Sequence, residues 1–349
     1  MDSRASRGAV AVYGAYGHTG RFIVAELLRR GWTPIPCGRD AARLAALVAR
    51  HPGLEGRVAS IDDPAALDRA LAGAVAVINA AGPFLDTAAP VLEAALRAGI
   101  HYFDTSAEQR AAFDVYEGYG ERVREAGVVA MPSVAFYGAF ADLLATAAMG
   151  DWPDAERIDI AVGLDSWHPT GGTRVTGARN HFRRWVVEEG ALQDVPDPPP
   201  TRDWRFPEPL GKQEAVLLTL SEIVAIARHV RCGQVRSYMN LAPLRDLRDP
   251  DTPAPVAADA HGRSAQTFVL DVHVHRDGRT RRARARGQDI YAVSAPLIVE
   301  AMERVVAGDV ATPGAWSAGQ AFDAGEFLAS LAPEAFAVEV DALAAALEV

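Results

Sequence analysis

Between Val10 and Met131 the chain alternates short apolar runs with amphipathic ones. Residues 10–13 are apolar throughout, the pattern of a buried strand. Phe22, Ile23, Leu27 and Leu28 then recur at helical spacing over 21–30, and Gly31 stops that helix. The alternation continues with strands at 33–36, 58–60, 75–79, 101–104 and 128–131, and helices at 41–50, 64–73, 88–98 and 107–126. Asp40 is placed to cap the second helix. Asp63 and Pro64 have the chemistry of an N-cap and a first helical residue for the third. Regular alternation of this kind predicts an α/β domain: a Rossmann-type, doubly wound parallel sheet with helices on both faces.

The rhythm changes after residue 150. A strand at 157–164 and a helix at 174–189 precede the Pro-rich segment 194–209, expected as an exposed loop. A helix or strand follows at 215–229, then a strand at 235–240 and a loop at 250–255. The clearest hairpin joins 268–275 to 280–286 through Asp277-Gly278. It sets Asp271 opposite Arg284, Val272 opposite Ala283 and His273 opposite Arg282. Phe268, Leu270, Val272 and Val274 share one face; Asp271, His273, His275 and the arginines share the other. The second part is expected to be α+β with a largely antiparallel sheet, finished by helices at 294–307 and near the C-terminus. The expected division is 1–135 for the dinucleotide-binding domain and 136–310 for a substrate and dimerisation domain. Residues 311–349 are expected as a C-terminal segment packing back on the first.

Composition narrows the chemistry. The chain has 349 residues, 49% hydrophobic and 23% charged, enough for more than one core. A net charge of −10 argues against nucleic acid or an anionic membrane surface as a partner. No apolar stretch of about 18 residues is free of charge, so no membrane span is expected. A short polar leader runs straight into the first strand, which predicts no signal peptide and a cytoplasmic protein. Cys37 and Cys232 make no CxxC pair, so neither a disulfide framework nor a cysteine zinc site is indicated. Lys212 is the only lysine. A lysine Schiff base is therefore not supported, nor is a Tyr-x-x-x-Lys dehydrogenase, because residue 208 is Glu208. No metal is expected. The Asp271, His273 and His275 face has arginines opposite it, which repel a cation. The Arg282, Arg284 and Arg286 stripe suits solvent or an acidic partner such as a carrier protein.

The strongest motif is GAYGHTG, between the first strand and the first helix. Gly14, Gly17 and Gly20 allow a tight turn and close approach of backbone to a pyrophosphate. Tyr16, His18 and Thr19 complete the loop, and the helix N-terminus supplies N–H donors. At the end of the second strand stands Cys37-Gly38-Arg39, with no carboxylate to accept ribose hydroxyls. A guanidinium at Arg39 suits a 2′-phosphate, with Arg43 one turn on in support, so the cofactor expected is NADP(H). Asp62 is placed to meet the adenine edge or to cap the following helix. Asn79, Ala80, Ala81, Gly82 and Pro83 let the backbone pass close to the ribose and nicotinamide.

Ligands of open parallel sheets lie beyond the carboxyl ends of the strands. That nominates Phe84, Asp104 and the segment Phe136-Tyr137. Asp104 suits a proton relay or a helix cap; Tyr137 suits a proton donor or a packing role. In the second part, HPTGGTR brings His168, Gly171, Gly172, Thr173 and Arg174 to the start of a helix, with Thr173 as N-cap. Backbone N–H groups there suit a substrate carboxylate or carbonyl, or simply a helix cap.

GAYGHTG, CGRD at 37–40, INAAGPF at 78–84 and AGIHYFDTSAE at 98–108 together resemble the saccharopine dehydrogenase-like family. Weaker matches are GGT at 171–173, ARH at 227–229, GQDIY at 287–291 and the segment 313–333. The later part is similar to short bacterial members, including those like trans-acting enoyl reductases. The resemblance implies NADP(H), a Rossmann domain and a mixed second domain that often forms a homodimer. It implies an oxidoreductase acting on a C=N or activated C=C bond of a small or carrier-bound substrate. A dinucleotide-binding sensor or scaffold without turnover is the alternative.

Overall fold

Val10, Ala11 and Val12 are wholly buried. Their strand lies inside the first sheet of the computed structural model, which describes residues 7–341. That sheet is built from β1 (Ala9–Tyr13), β2 (Thr33–Gly38), β3 (Arg57–Val58), β4 (Ala76–Asn79), β5 (His101–Asp104) and β6 (Val129–Met131), with Gly314–Ala315 at one edge. All its pairings are parallel, in the order Gly314–Ala315, β6, β5, β4, β1, β2, β3. The chain reverses its direction of travel between β1 and β4, which is where such a sheet opens a crevice for a ligand.

The crossover helices are α1 (His18–Arg29), α2 (Ala41–Val48), α3 (Pro64–Leu71) and α4 (Phe84–Ala98). Asp40 and Asp63 cap α2 and α3 through the N–H groups of Arg43 and Ala66. Gly99, at φ 64°, closes α4 in the left-handed conformation. The helix expected at 107–126 is two α segments, Gln109–Phe113 and Tyr119–Glu125, joined by the π turn Asp114–Gly118.

The first compact unit runs to Ala135 and regains Ser294–Trp316; the second is Phe136–Val293 and the chain from Ser317. This corrects the expected boundaries at 136–310 and 311–349. Helix Ser294–Ala307 packs on α1 because Arg30 reaches Glu26, Glu300 and Glu303 at 2.7, 2.6 and 2.7 Å.

The second unit holds a mixed sheet of β7 (Ala155–Leu164), β8 (Trp185–Glu188), β9 (Ala191–Asp194), β10 (Thr201–Arg205), β11 (Lys212–Leu217), β12 (Cys232–Asn240), β13 (Thr267–Arg276) and β14 (Arg279–Gln288). Its main path is β10, β11, β12, β7, β13, β14, then Ala337–Val340, with β8 and β9 attached to β12. Only β12 with β7 is parallel among these described pairings. The β13–β14 register is the one the sequence specifies: Asp271 with Arg284, Val272 with Ala283, His273 with Arg282.

Two expectations fail here. The helix foreseen at 174–189 is Gly171–Arg179, which buries no residue, followed by strand β8. Asn180 takes extended backbone, and the β-branched Val186 and Val187 are buried in a ladder instead. The loop foreseen at 194–209 contains β10, held inward by Trp204, whose Nε1 donates to Asp271 Oδ2 at 3.0 Å. The segment 215–229 holds both alternatives, the end of β11 and helix Ser221–Ala227.

Candidate functional site

The GAYGHTG loop of the first unit is shaped by glycine at two positions. Gly14 has φ +83°, and a Cβ there would lie 2.8 Å from Ala81 Cβ and 2.9 Å from the Ala80 carbonyl carbon. Only glycine lets the loop after β1 press against the loop after β4. A Cβ on Gly20 would collide with the Gly14 carbonyl and sit 3.0 Å from Ala15. Gly20 thus lets α1 enter directly behind the turn. The Gly14 and Ala15 N–H groups donate to the Cys37 carbonyl at 2.9 and 3.3 Å, and Ala80 N–H donates to Tyr13 O at 2.8 Å. These bonds pin β1, β2 and β4 together at the sheet's carboxyl edge. Gly17 is the N-cap of α1 and offers no side-chain cap. The first N–H groups of this helix, from His18 and Thr19 onward, therefore point past the loop with the positive end of the helix dipole behind them.

Tyr16 lies across Gly38, where a Cβ would come within 2.5 Å of its ring. Its hydroxyl accepts the Asp40 N–H at 3.1 Å, and the Arg43 guanidinium sits 4.6 Å from the ring centroid. Asp40 is committed to capping α2, accepting the Arg43 N–H at 3.0 Å. Arg39 is exposed and makes no ion pair among the described residues. Asp62 does not cap α3, since Asp63 does; it is exposed and turns back on Ser60 at 3.3 Å. Burial, joined by the charges of Tyr16, Cys37 and Asp62 against that of Arg39, pushes Tyr13 up to about 12.

The loop after β4 is a closed circuit. Asn79, fully buried, donates to Thr87 Oγ1 at 3.1 Å and accepts the Ala81 N–H at 3.1 Å. Thr87 returns a bond to Ala81 O at 2.6 Å. Pro83 at the N-cap of α4 has no side-chain cap to give. Glu108 supplies it from a distance, accepting Phe84 N–H at 2.7 Å and Leu85 N–H at 3.2 Å. Burial raises its pKa against those bonds. The motif pattern pointed to Asn79–Pro83 and Phe84 but not to Thr87 or Glu108.

Asp104 is 1% exposed and accepts three donors: Tyr102 Oη at 2.8 Å, Ser106 N–H at 2.9 Å and Ser133 N–H at 2.8 Å. Burial raises its pKa while these bonds lower it. It caps no helix; it fastens the end of β5 to the segment after β6.

In the second unit the HPTGGTR segment starts helix Gly171–Arg179, but its cap is Thr170, not Thr173. Thr170 Oγ1 accepts the Thr173 N–H at 3.1 Å. Thr173 Oγ1 instead lies 2.9 Å from Tyr291 Oη, which also accepts Trp167 Nε1–H at 2.9 Å. Trp167 packs on Tyr137 with ring centroids 5.8 Å apart. Thr173, Tyr291, Trp167 and Tyr137 thus form one continuous wall. Gly171 and Gly172 are exposed, and His168 makes no hydrogen bond among the described residues. Arg174 is turned away, donating to the carbonyls of Asp249 and Thr252 at 3.1 and 2.8 Å. Tyr291 was foreshadowed only by GQDIY. Asp289 of that run holds the Tyr291 and Ala292 N–H groups at 2.9 and 3.0 Å. Asp271, on the polar hairpin face, is taken up by Trp204, Arg284 and His273.

The residues at the β1–α1 turn fit a dinucleotide. The glycines leave room for a ligand's approach, an uncapped helix start offers N–H donors, and an unpaired guanidinium stands at the β2 end. No described helix is long and apolar enough to cross a membrane.

Comparison with known proteins gives the same placement. Residues 10–131 match the family model of the saccharopine dehydrogenase NADP binding domain. A saccharopine dehydrogenase-like oxidoreductase of Bos taurus is 31% identical over 152 residues, 38% of this chain and 35% of the relative. Its Homo sapiens counterpart is 30% identical over the same length. The chain therefore matches only about a third of the length of these curated relatives. Among solved structures, apo saccharopine dehydrogenase (L-Glu forming) from Saccharomyces cerevisiae superposes with a TM-score of 0.68 at 13% identity, covering 95% of this chain and 99% of that one. An amine dehydrogenase from Mycobacterium smegmatis gives 0.52 at 11%, covering 91% and 97%. Residues 10–131 thus carry the pattern of a saccharopine dehydrogenase NADP-binding domain, in a chain with the saccharopine dehydrogenase fold.

Proposed function

We propose that this protein is an NADPH-dependent oxidoreductase whose hydride acceptor is a C=N or activated C=C bond of a small or carrier-bound substrate. The observation that carries the reading is the end of β2, where Asp40 is occupied as a helix cap and Arg39 stands exposed without a partner. A site for NADH needs a free carboxylate there; a site for a 2′-phosphate needs a free cation. The domain match and the curated relatives support the same cofactor and class.

In this reading the N–H groups at the start of α1 bind the pyrophosphate, and Gly14 and Gly17 keep side chains out of its way. Arg39 binds the 2′-phosphate, while Arg43, stacked on Tyr16, raises the positive potential beside it. Asp62 faces the adenine, and Asn79 holds the Ala80–Pro83 backbone in shape for the ribose. When bound, the nicotinamide supplies the hydride. Asp104 braces the sheet edge, because three donors already occupy its carboxylate. Tyr137 is the proton donor of this account: its hydroxyl is buried without a hydrogen-bond partner. Burial holds it well above its ordinary pKa, so it keeps its proton at neutral pH. His168 and the Gly171 and Gly172 N–H groups receive a substrate oxygen.

A steady-state assay of NADPH oxidation against panels of imines and enones tests this. The expected result is saturable turnover with a member of either panel. Tyr137→Phe should then lower kcat by about 100-fold, the scale of one lost general acid, and leave NADPH affinity unchanged. Tight NADPH binding with no turnover across both panels contradicts the enzyme and identifies a nucleotide-binding sensor.

A further inference from the structure

In the main path of the second unit's sheet, β11, β12 and β7 lie between β10 and β13. In a flat sheet, four strand spacings would part β10 from β13 by roughly 19 Å. Yet Trp204 of β10 donates its indole N–H to Asp271 of β13 at 3.0 Å, and its ring centroid lies 4.8 Å from that of His273. The sheet is therefore curled into a trough, with β10 turned over the polar face of the β13–β14 hairpin. Between them is a cavity of about 230 Å³. Trp204 and His273 line it, with Arg202 and Arg205 on the β10 side and Arg282 and Arg284 on the β14 side.

Four guanidiniums thus line one cavity in a chain whose net charge is −10. Two of them are anchored from below. Arg202 Nη1 reaches buried Asp159 at 3.2 Å, and its guanidinium lies 5.1 and 5.2 Å from the ring centroids of Trp204 and Tyr238. Arg284 Nε donates to buried Asp271 at 3.0 Å, while its Nη1 is 3.8 Å from Glu339, which bonds Arg286. Each therefore commits one of its five N–H donors to a hydrogen bond with a buried carboxylate and keeps the rest. Arg205 and Arg282 are exposed and make no hydrogen bond or ion pair among the described residues. Gathering like charges costs free energy that an anion between them recovers. We propose that this cleft binds a phosphate dianion, free or as the monoester of a small molecule.

Charge and shape define the ligand. The lining sets four guanidiniums against two carboxylates, Asp203 and Asp271. Asp203 is held by Lys212 at 2.6 Å, and Asp271 by Trp204 and Arg284. The excess of two positive charges matches a dianion. A tetrahedral phosphate presents acceptor oxygens in several directions, so the forks of both walls reach it at once. A planar carboxylate has one charge and two oxygens on one side, which satisfy a single wall. None of these residues belongs to the NADPH site, so each site is tested without the other.

Trp204 is the reporter, because its indole N–H is fixed in the cleft wall; its resonance is assigned by its loss in Trp204→Phe. The full chain with ¹⁵N-labelled indoles, without nucleotide, is titrated by NMR with inorganic phosphate, glycerol 3-phosphate and acetate. Ionic strength is held constant and the pH at about 8, where the phosphates are dianions. Both phosphates should displace the Trp204 indole signal saturably, and acetate should bind at least about tenfold more weakly. Tighter binding of glycerol 3-phosphate supports a monoester as the ligand; equal or tighter binding of inorganic phosphate supports the free ion. Arg205→Gln combined with Arg282→Gln changes only exposed, unpaired side chains. It should leave the melting temperature unchanged and weaken phosphate binding about tenfold or more. A Trp204 signal that neither phosphate moves, or that acetate moves as readily, overturns the proposal in wild type alone. Full phosphate affinity in the double variant also overturns it, by placing the ion elsewhere, such as at the GAYGHTG loop.

Discussion

His229 Nε2 lies 2.7 Å from Asp142 Oδ1, and Asp142 Oδ2 accepts the Gly319 N–H at 2.7 Å. Asp142 is fully buried, so this carboxylate fastens helix Ala318–Ala321 to the core of the second unit. Burial alone lowers the His229 pKa, but the charge and hydrogen bond of Asp142 outweigh it and the net shift is upward. A raised folded-state pKa means that the folded protein binds the proton more tightly than the unfolded chain. The stabilisation is complete below the unfolded value of about 6.5 and is lost as pH rises through the folded value. His229→Gln should therefore destabilise by about 1.5–3 kcal/mol at pH near 6 and by less at pH near 9. Thermal unfolding at both pH values checks it; an equal loss at each would show that the charge has no part.

Gly14→Ala should remove nucleotide binding and lower stability together. The new methyl group meets Ala81 at 2.8 Å while the backbone sits at φ +83°. Strain of this kind is worth about 1–3 kcal/mol. Calorimetry and a melting curve on the one variant check both. A variant that binds NADPH like wild type would mean that the loop tolerates a shift away from Ala80 and Ala81.

Asp104→Asn separates bracing from chemistry. The amide cannot accept at both oxygen positions, so one of the three donors loses its partner, at about 1–3 kcal/mol. A lower melting temperature is the expected result. Unchanged stability with kcat lost would return Asp104 to a proton relay.

Much of the first unit was legible because each element there is locally specified. Apolar runs give strands, Asp40 and Asp63 give caps, and glycines give the turns. The β13–β14 register was legible for the same reason: Asp277 and Gly278 take φ 49° and 70°, and a two-residue turn of that type fixes every pair behind it. Expectations failed where tertiary packing decided. Residues 185–188 satisfy a helical pattern, yet Val186 and Val187 are buried in a sheet. Trp204 pulls a Pro-rich segment into β10 by a bond to a residue 67 positions away.

The site divides in the same way. The phosphate loop is contiguous and could be read from GAYGHTG. Glu108 caps α4 from 24 residues downstream, and Tyr291 meets Thr173 across 118. No local pattern encodes those distances. A helix beginning at residue 174 makes Thr173 the cap, but the helix begins at Gly171, and Thr170 is the residue whose hydroxyl reaches an orphan N–H.

The central claim is that Arg39 reads a 2′-phosphate. Calorimetric titration of wild type and Arg39→Ala with NADPH and NADH measures this directly. The account predicts that wild type binds NADPH at least about tenfold more tightly, a difference of about 1.4 kcal/mol, and that the substitution erases the preference while NADH affinity stays unchanged. Tighter binding of NADH by wild type, or a preference that survives the loss of Arg39, would contradict it.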